Sequence, residues 1–197
     1  MPTTDIDFFN SIAPKWDLME KNSTPTRVCS ILNKIGIPAG GDILDLGTGT
    51  GVLIPALCSG IGDEGSVTAV DFSQEMLKIA RQKCAGLPNV CFLNIDFEDE
   101  AIEGKFDLIT MYCVYPHLHA PLFTLRRLID NNLRKHGRIV IAFPTDEKFI
   151  NRVHGHKKID SEQLPPAPCL AQLLCRAGFN ARCLSYSPTS YIIEIAA

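Results

Sequence analysis

The sequence predicts an α/β fold, a three-layer αβα sandwich around a seven-stranded, mostly parallel sheet that ends in an antiparallel hairpin. Two observations carry this prediction. Short apolar runs alternate with amphipathic segments from about residue 40 onward, as in parallel strands linked by crossover helices. Near the end of the chain, two strand-like runs are separated only by residues 187–190, and strands joined by so short a loop must be antiparallel.

Seven segments have the composition of strands, namely 42–46, 66–70, 90–95, 106–112, 138–143, 181–186 and 191–196. Helices are expected between them. The clearest begins after Ser73, an N-cap residue followed by Glu75 in the first turn and by apolar positions on one face. A second is expected to finish with the basic turn 133–136 before Gly137, and a third covers about 167–177.

Length and charge limit the classes of protein that the chain can represent. Its 197 residues predict a single domain over 1–197, with an N-terminal helical cap over about 1–40. A formal net charge of −3 excludes a strong electrostatic attraction to nucleic acid or to an anionic membrane. No apolar run is long enough to span a membrane and no signal-peptide pattern is present, so a cytosolic protein is expected.

The eight cysteines contain no C-x-x-C pair, so they indicate neither a structural zinc site nor a disulfide framework. Most are expected to be small buried apolar residues. The oligomeric state is left open, with a homodimer as one alternative.

The strongest functional signal is the stretch 43–51, where a buried strand runs into a G-x-G-x-G turn and then an apolar helix. Glycines at positions 47, 49 and 51 allow a sharp turn and the close approach of a ligand to the backbone. A dinucleotide-binding turn would have its third glycine at position 52, where this chain has Val52. The spacing therefore favours S-adenosylmethionine (SAM) over a nicotinamide dinucleotide and argues against an oxidoreductase.

Two further strand ends carry acidic residues. Asp71 ends the second strand, where a carboxylate can accept both ribose hydroxyls of an adenosine. Asp96 and Phe97 follow the third strand and offer a carboxylate and an aromatic ring to an adenine. Because open α/β sheets bind ligands at the carboxyl ends of their strands, one adenosine could touch all of these positions.

Five motifs extend this pattern over nearly the whole chain: FNSIAPKWD at 9–17, DLGTGTG at 45–51, VDFSQEML at 70–77, FDLI at 106–109 and LLCRAGF at 173–179. In combination they resemble the class I SAM-dependent methyltransferases, particularly the group similar to the ubiquinone/menaquinone C-methyltransferases. The resemblance implies a Rossmann-like fold and an enzyme that transfers a methyl group from SAM to a small-molecule acceptor, leaving S-adenosylhomocysteine (SAH). One departure is the stretch 131–137, where the family typically shows Lys-Pro-Gly-Gly.

The resemblance also implies a set of cofactor-binding residues. Asp45 and the glycine turn would hold the methionine part and Asp71 the ribose. Phe72 and Met76 would lie against the adenine face, and Asp96 would bind the adenine amino group. The full set is Trp16, Asp45, Gly47, Thr48, Gly49, Gly51, Asp71, Phe72, Met76, Asp96, Phe97 and Tyr112. For Trp16, a place in the core of an N-terminal helix is the alternative.

The acceptor side is expected after the fourth strand. Residues 111–117 lack the Asn/Asp-Pro-Pro-Tyr/Phe motif of enzymes that methylate nucleobase amines. Pro116 predicts an extended Tyr115 that ends the strand. His117 is then the candidate general base, because histidine is the side chain type whose ordinary pKa lies nearest neutrality. Tyr112 and Tyr115 are candidates for orienting the acceptor.

The polar stretch 144–166 is long for a tight connection and is a candidate substrate lid. Its His154 and His156 are candidate acceptor-binding residues, and no metal site is expected from them because a second paired ligand motif is missing. The alternative function is a catalytically idle SAM-binding regulator or scaffold, which the same cofactor residues would serve.

Overall fold

The computed structural model describes residues 5–19, 24–157 and 163–197, with side chains described in all of these except 154–157. Among the described residues, seven strands form one sheet in the order β3-β2-β1-β4-β5-β7-β6. The strands are β1 (Asp42–Leu46), β2 (Ser66–Asp71), β3 (Val90–Asn94), β4 (Phe106–Tyr112), β5 (Leu133–Phe143), β6 (Asn180–Ser187) and β7 (Ser190–Ala196). Strands β1 to β5 are parallel to one another, and β7 runs antiparallel to both of its neighbours, which confirms the predicted mostly parallel sheet and its terminal hairpin.

Helices cover both faces of this sheet. They are α1 (Asp5–Ile12), α2 (Trp16–Met19), α3 (Pro25–Ile35), α4 (Ile54–Ile61), α5 (Gln74–Lys83), α6 (Pro121–Asn132), α7 (Glu147–Lys157) and α8 (Ala167–Arg176). One core cluster joins the sheet to α6 and α8, and a second joins it to α3 and α4. The predicted three-layer sandwich is therefore confirmed. None of the described helices is long and apolar enough to cross a membrane.

The predicted end of the helix before Gly137 is wrong. Helix α6 ends at Asn132, and Leu133 already pairs with Phe106 as the first residue of β5. The register then shifts, so that the residues between Leu133 and Arg138 bulge out of the ladder. Arg134 of this segment makes a tertiary contact instead of ending a helix, because it forms ion pairs with Asp42 and Asp107 at the amino-terminal edge of the sheet.

The expectation that Tyr115 is extended is also wrong. Strand β4 ends at Tyr112, and Cys113 turns the chain with a φ of 61°. Tyr115–His117 then form a 3₁₀ turn, closed by a hydrogen bond from the His117 N–H to the Val114 carbonyl at 2.9 Å. The strand is therefore ended by the left-handed Cys113, and Pro116 sits inside the turn that follows.

The polar stretch after β5 is more regular than a loop. Its first half forms α7, which Asn151 fastens to the segment before α8 through two hydrogen bonds with Leu164, at 2.9 and 2.8 Å. Ile150 of the same helix is buried in the core. This region stays a predicted substrate lid, in the form of a helix packed at the end of the sheet.

Candidate functional site

The candidate site lies at the carboxyl-terminal edge of the parallel strands. Leu46 at the end of β1 is paired on one side with Val70 of β2 and on the other with Met111 of β4. The residues that follow these three strands must therefore emerge side by side. This places the glycine turn between Asp71 and the Cys113–His117 segment, as expected for ligand sites in open α/β sheets.

The glycine turn requires its glycines for different reasons. Gly47, Gly49 and Gly51 all have left-handed φ values, of 63°, 55° and 80°. A Cβ on Gly47 would come within 2.4 Å of the Val114 side chain, so this glycine permits close packing of the turn on the next segment. A Cβ on Gly49 would meet no heavy atom within 4 Å, so the backbone here borders open space that a ligand can approach.

Asp71 is held directly against this turn. Its carboxylate accepts hydrogen bonds from the backbone N–H groups of Gly49 and Ser73, both at 2.8 Å, and the residue is only 6% exposed. Burial raises the pKa of the Asp71 carboxyl to about 6, and the nearby charge of Asp45 adds to the shift, while the two N–H groups oppose it. Each oxygen keeps further acceptor capacity, so the carboxylate can take hydrogen bonds from a ligand diol.

Asp45 lies deeper, below the turn, and is 1% exposed. Its two oxygens accept hydrogen bonds from the Thr48 hydroxyl at 2.6 Å and the Thr110 hydroxyl at 2.7 Å. Burial raises the pKa of the Asp45 carboxyl to about 6 despite these two donors. Both Asp45 and Thr48 therefore stabilise the turn from inside, and their direct contact with a cofactor stays a prediction.

The residues predicted to face an adenine differ in exposure. Phe72 is partly buried, whereas Met76 is buried and Phe97 is 5% exposed within the larger core cluster. The structure thus gives the Phe97 ring a packing role. Asp96 is partly exposed and caps its own turn by accepting the Glu98 N–H at 2.9 Å.

Sequence reasoning missed Asn94 on this side of the site. Its side-chain amide donates to the backbone carbonyls of Asp71 and Phe72, both at 2.9 Å, and so ties the end of β3 to the end of β2. The signal that could have found it is an asparagine at the final position of a strand that ends beside an acidic residue.

The N-terminal segment crosses the same edge of the sheet. The Phe9 ring makes edge contacts with Trp16, Phe72 and His117, with ring centroids 5.6–5.7 Å apart. The Asn10 side chain accepts a hydrogen bond from the Ser73 hydroxyl at 2.7 Å. Trp16 is therefore partly buried in the N-terminal cap beside Phe9, and its contact with the cofactor stays a prediction.

Sequence reasoning assigned no role to Asp17 of the cap. Its carboxylate accepts a hydrogen bond from the Thr50 hydroxyl at 2.6 Å and forms an ion pair with Lys83 of α5. Only the tertiary structure brings residues 17 and 50 together, so no local pattern in the sequence could have indicated this contact.

The acceptor-side candidates occupy neighbouring positions. His117 is partly buried and contacts the Phe9 ring. Tyr115 is partly buried against the larger core cluster, whereas Tyr112 is buried in the second core cluster, which joins the sheet to α3 and α4. The side chains of His154 and His156 lie outside the described residues. The roles predicted for all five stay predictions.

The histidine next to this turn has a structural partner. His119 donates its backbone N–H to Glu98 at 2.8 Å, and its ring lies 3.1 Å from the same carboxylate. The Ala120 N–H and the Thr124 hydroxyl also donate to Glu98, which therefore caps the start of α6. Within the described part of the chain, no group of three or more metal-ligating side chains is present.

Known proteins resemble the chain in sequence and in fold. A family model described as "Methyltransferase domain" matches residues 37–174. Demethylmenaquinone methyltransferase from Staphylococcus aureus is 30% identical over 118 residues, which cover 59% of this chain and 48% of that enzyme. The chain thus matches about half the length of these curated relatives.

Solved structures share the fold over almost the whole chain. A SAM-dependent methyltransferase from Aquifex aeolicus is 23% identical with a TM-score of 0.70, covering 95% of this chain and 97% of the other. The DhpI–SAH complex is 20% identical with a TM-score of 0.74, covering 96% and 93%. At this identity the likeness shows a common fold.

Proposed function

Because the chain belongs to the methyltransferase-domain family, we propose that it is an enzyme that binds SAM and transfers its methyl group to a small-molecule acceptor. The DhpI structures with similar folds contain SAH or SAM, and that of the plantazolicin methyltransferase BpumL contains SAH. These likenesses support the cofactor. The acceptor, its reacting atom and the role of each residue below are part of the proposal.

One observation carries the cofactor assignment. The Asp71 carboxylate is fixed by the Gly49 N–H at 2.8 Å, while the side of Gly49 where a Cβ would stand borders open space. A ligand can therefore approach the turn and the carboxylate at the same point. An adenosine with a charged methionine tail fits this combination, since its ribose offers two hydroxyl donors and its tail is recognised by backbone groups.

The chain's own residues have a limited task in the reaction. When bound, SAM supplies a methyl group on a sulfonium sulfur, which is already activated for displacement. The protein then needs to align the acceptor in line with that methyl group and to exclude water. Phe9 and Trp16 of the cap and Tyr115 of the 3₁₀ turn supply apolar cover at this edge of the sheet.

A base is needed only for an acceptor that must lose a proton. His117 is the proposed base, because it follows β4 at the carboxyl edge and is partly buried beside Phe9. In this role its imidazole removes the acceptor proton as the methyl group arrives. Tyr115, two residues earlier in the same turn, would orient the acceptor.

The test is methyl transfer from labelled SAM to a panel of small acceptors that presents hydroxyl, thiol, amine and carbon nucleophiles. We expect SAH to form stoichiometrically with one methylated product. Tight SAH binding with no turnover on any acceptor class would favour the idle SAM-binding alternative. Failure to bind SAH by calorimetry would contradict the proposal at its base.

A further inference from the structure

Both threonines of the G-x-G-x-G turn are tethered through their hydroxyl groups to carboxylates. Thr48 donates to Asp45 on the core side of the turn at 2.6 Å. Thr50 donates to Asp17 of the N-terminal cap, also at 2.6 Å, and is only 2% exposed. The turn is thus held from below by the sheet and from above by the cap.

The second tether restrains a residue that has a glycine on each side. Thr50 stands between Gly49 and Gly51, both of which have left-handed φ values and no side chain of their own. Glycines lose more conformational freedom on ordering than other residues, so a hydrogen bond to the residue between them removes freedom that a ligand would otherwise have to remove. The Gly49 N–H that contacts Asp71 lies next to this tether.

The Asp17 carboxylate stays available as an acceptor for the Thr50 hydroxyl. Burial alone would raise the pKa of its carboxyl, but hydrogen bonds from Lys83 and Thr50 outweigh burial and hold the pKa below its usual range. The ion pair with Lys83 is substantially exposed, with side-chain exposures of 47% for Asp17 and 38% for Lys83. Solvent screens such a pair, so the hydrogen bond from the buried Thr50 is expected to matter more.

We propose that Asp17 is a positioning residue for the cofactor, which fixes the glycine turn through the Thr50 hydroxyl while the cap covers the site. Asp17 acts through Thr50 and contacts no reacting atom. The inference rests on the proposed function, because it concerns the same SAM and SAH site. The cap then helps to position the cofactor-binding turn, in addition to burying apolar surface.

The experiment measures SAH affinity by calorimetry and the SAH dissociation rate through the fluorescence of Trp16, the single tryptophan of the chain and the neighbour of Asp17. Asp17→Ala and Thr50→Val should each weaken SAH binding about tenfold, as the loss of one hydrogen bond to a charged group permits. Most of the change should appear as faster dissociation. The double variant should bind SAH no more weakly than either single variant, because the two side chains form one contact.

Three control variants distinguish the loss of this hydrogen bond from a loss of charge and from a loss of folding. Asp17→Asn keeps an oxygen that can accept from Thr50, so affinity should stay within about threefold of the parent protein. Asp5→Ala removes an equal charge from the cap, and Lys83→Met removes the exposed ion pair. Both should change affinity by less than about twofold. Melting temperatures without SAH should show that all variants are folded.

Additive losses in the double variant would overturn the inference, as would parental affinity and dissociation rate in Asp17→Ala. A loss in Asp17→Asn as large as in Asp17→Ala would assign the effect to charge and would equally contradict it. If the parent protein bound no SAH, this result would instead contradict the proposed function, and the inference with it.

Discussion

The two ends of strand β1 hold their aspartates in opposite ways. At the amino end, Asp42 accepts a hydrogen bond from the Ser66 hydroxyl at 2.5 Å and forms an ion pair with Arg134 at 2.6 Å. The Ser66 hydroxyl lowers the pKa of this carboxyl most, with Arg134 acting in the same direction. Three residues later, Asp45 has two hydroxyl donors, no cation among its described contacts, and a pKa raised to about 6 by burial.

This difference distinguishes an edge whose charges are paired within the fold from the edge that carries the candidate site. Asp42, together with Asp107 and Arg134, forms a satisfied ion-pair group that closes the amino-terminal edge. Asp45 and Asp71 at the carboxyl edge keep charges that the fold alone does not compensate. Buried carboxylates with raised pKa values are typical of ligand sites, where stability is given up for binding.

Among variants at the carboxyl edge, the largest effect is expected on the rate of methyl transfer. His117→Ala should lower turnover with the fastest acceptor of the panel by about 10²- to 10⁴-fold, the usual contribution of a positioned base. SAH affinity should stay within a few fold, because the proposed role of His117 is on the acceptor and not on the cofactor. His119→Ala, two positions away, is the matched control: its ring is exposed and pairs with Glu98, so turnover should hardly change. Equal losses in both variants would remove His117 from the site.

Gly49→Val tests whether the glycine turn is the binding surface. A β-branched residue at a φ of 55° is strained by about 1–3 kcal/mol, and its side chain would enter the open space beside Asp71. SAH binding should fall by more than about 100-fold.

Gly62 offers a control that carries backbone strain away from the site. Its φ is 72° and its ψ is −165°, a combination that residues with a side chain rarely adopt, and it ends α4 away from the carboxyl edge with open space around it. Gly62→Val should cost at least as much stability as Gly49→Val and leave SAH affinity unchanged. If calorimetry showed the same loss of SAH affinity in both variants, backbone strain rather than location would explain the effect of Gly49→Val.

The pH dependence of stability should have opposite signs at the two ends of β1. The folded-state pKa of Asp45 is raised from 3.8 to about 6, so its protonation stabilises the fold fully below about pH 3.8 and this contribution is lost as the pH rises through 6. Asp45→Asn should therefore raise the free energy of unfolding at pH 8, on the order of 3 kcal/mol for a shift of about two units. The gain should shrink as the pH falls through 6 and vanish only below about pH 3.8.

Asp42→Asn should do the reverse. Its lowered folded-state pKa contributes stability above the ordinary value of 3.8, and that contribution is lost as the pH falls through the lowered pKa. The variant should thus be less stable than the parent at pH 8, with the deficit shrinking only in strong acid. Denaturant titrations at several pH values check both trends, and parallel curves for the two variants would contradict the comparison.

The sequence predicted the sheet and the glycine turn because their signals are local. Strand periodicity, the hairpin at 187–190 and the Ser73 N-cap each depend on neighbouring residues, and the structure confirms them. The prediction of a helix end at Gly137 was wrong. A basic run before a glycine is typical of a helix end, whereas the ion pairs of Arg134 with distant residues decide the structure of this segment.

Long-range contacts explain the rest of what the sequence could not predict. Asp17 and Thr50 are 33 positions apart, and Asn10 and Ser73 are 63 apart, so their hydrogen bonds follow from the tertiary fold alone. The acceptor remains unidentified for a related reason. Wall residues such as Tyr115 also serve ordinary core packing, and their residue type does not distinguish the two roles.

The most direct test of the account compares SAH binding to Asp71→Asn and Asp42→Asn by calorimetry at pH 8. Each variant removes one carboxylate charge from the end of a strand in the same sheet, on opposite edges. Asp71→Asn should bind SAH about 10- to 100-fold more weakly, since a charge-assisted bond pair to the ribose contributes about 1.5–3 kcal/mol. Asp42→Asn should bind SAH as the parent protein does. Parental affinity in a folded Asp71→Asn variant would contradict the placement of the cofactor at the carboxyl edge.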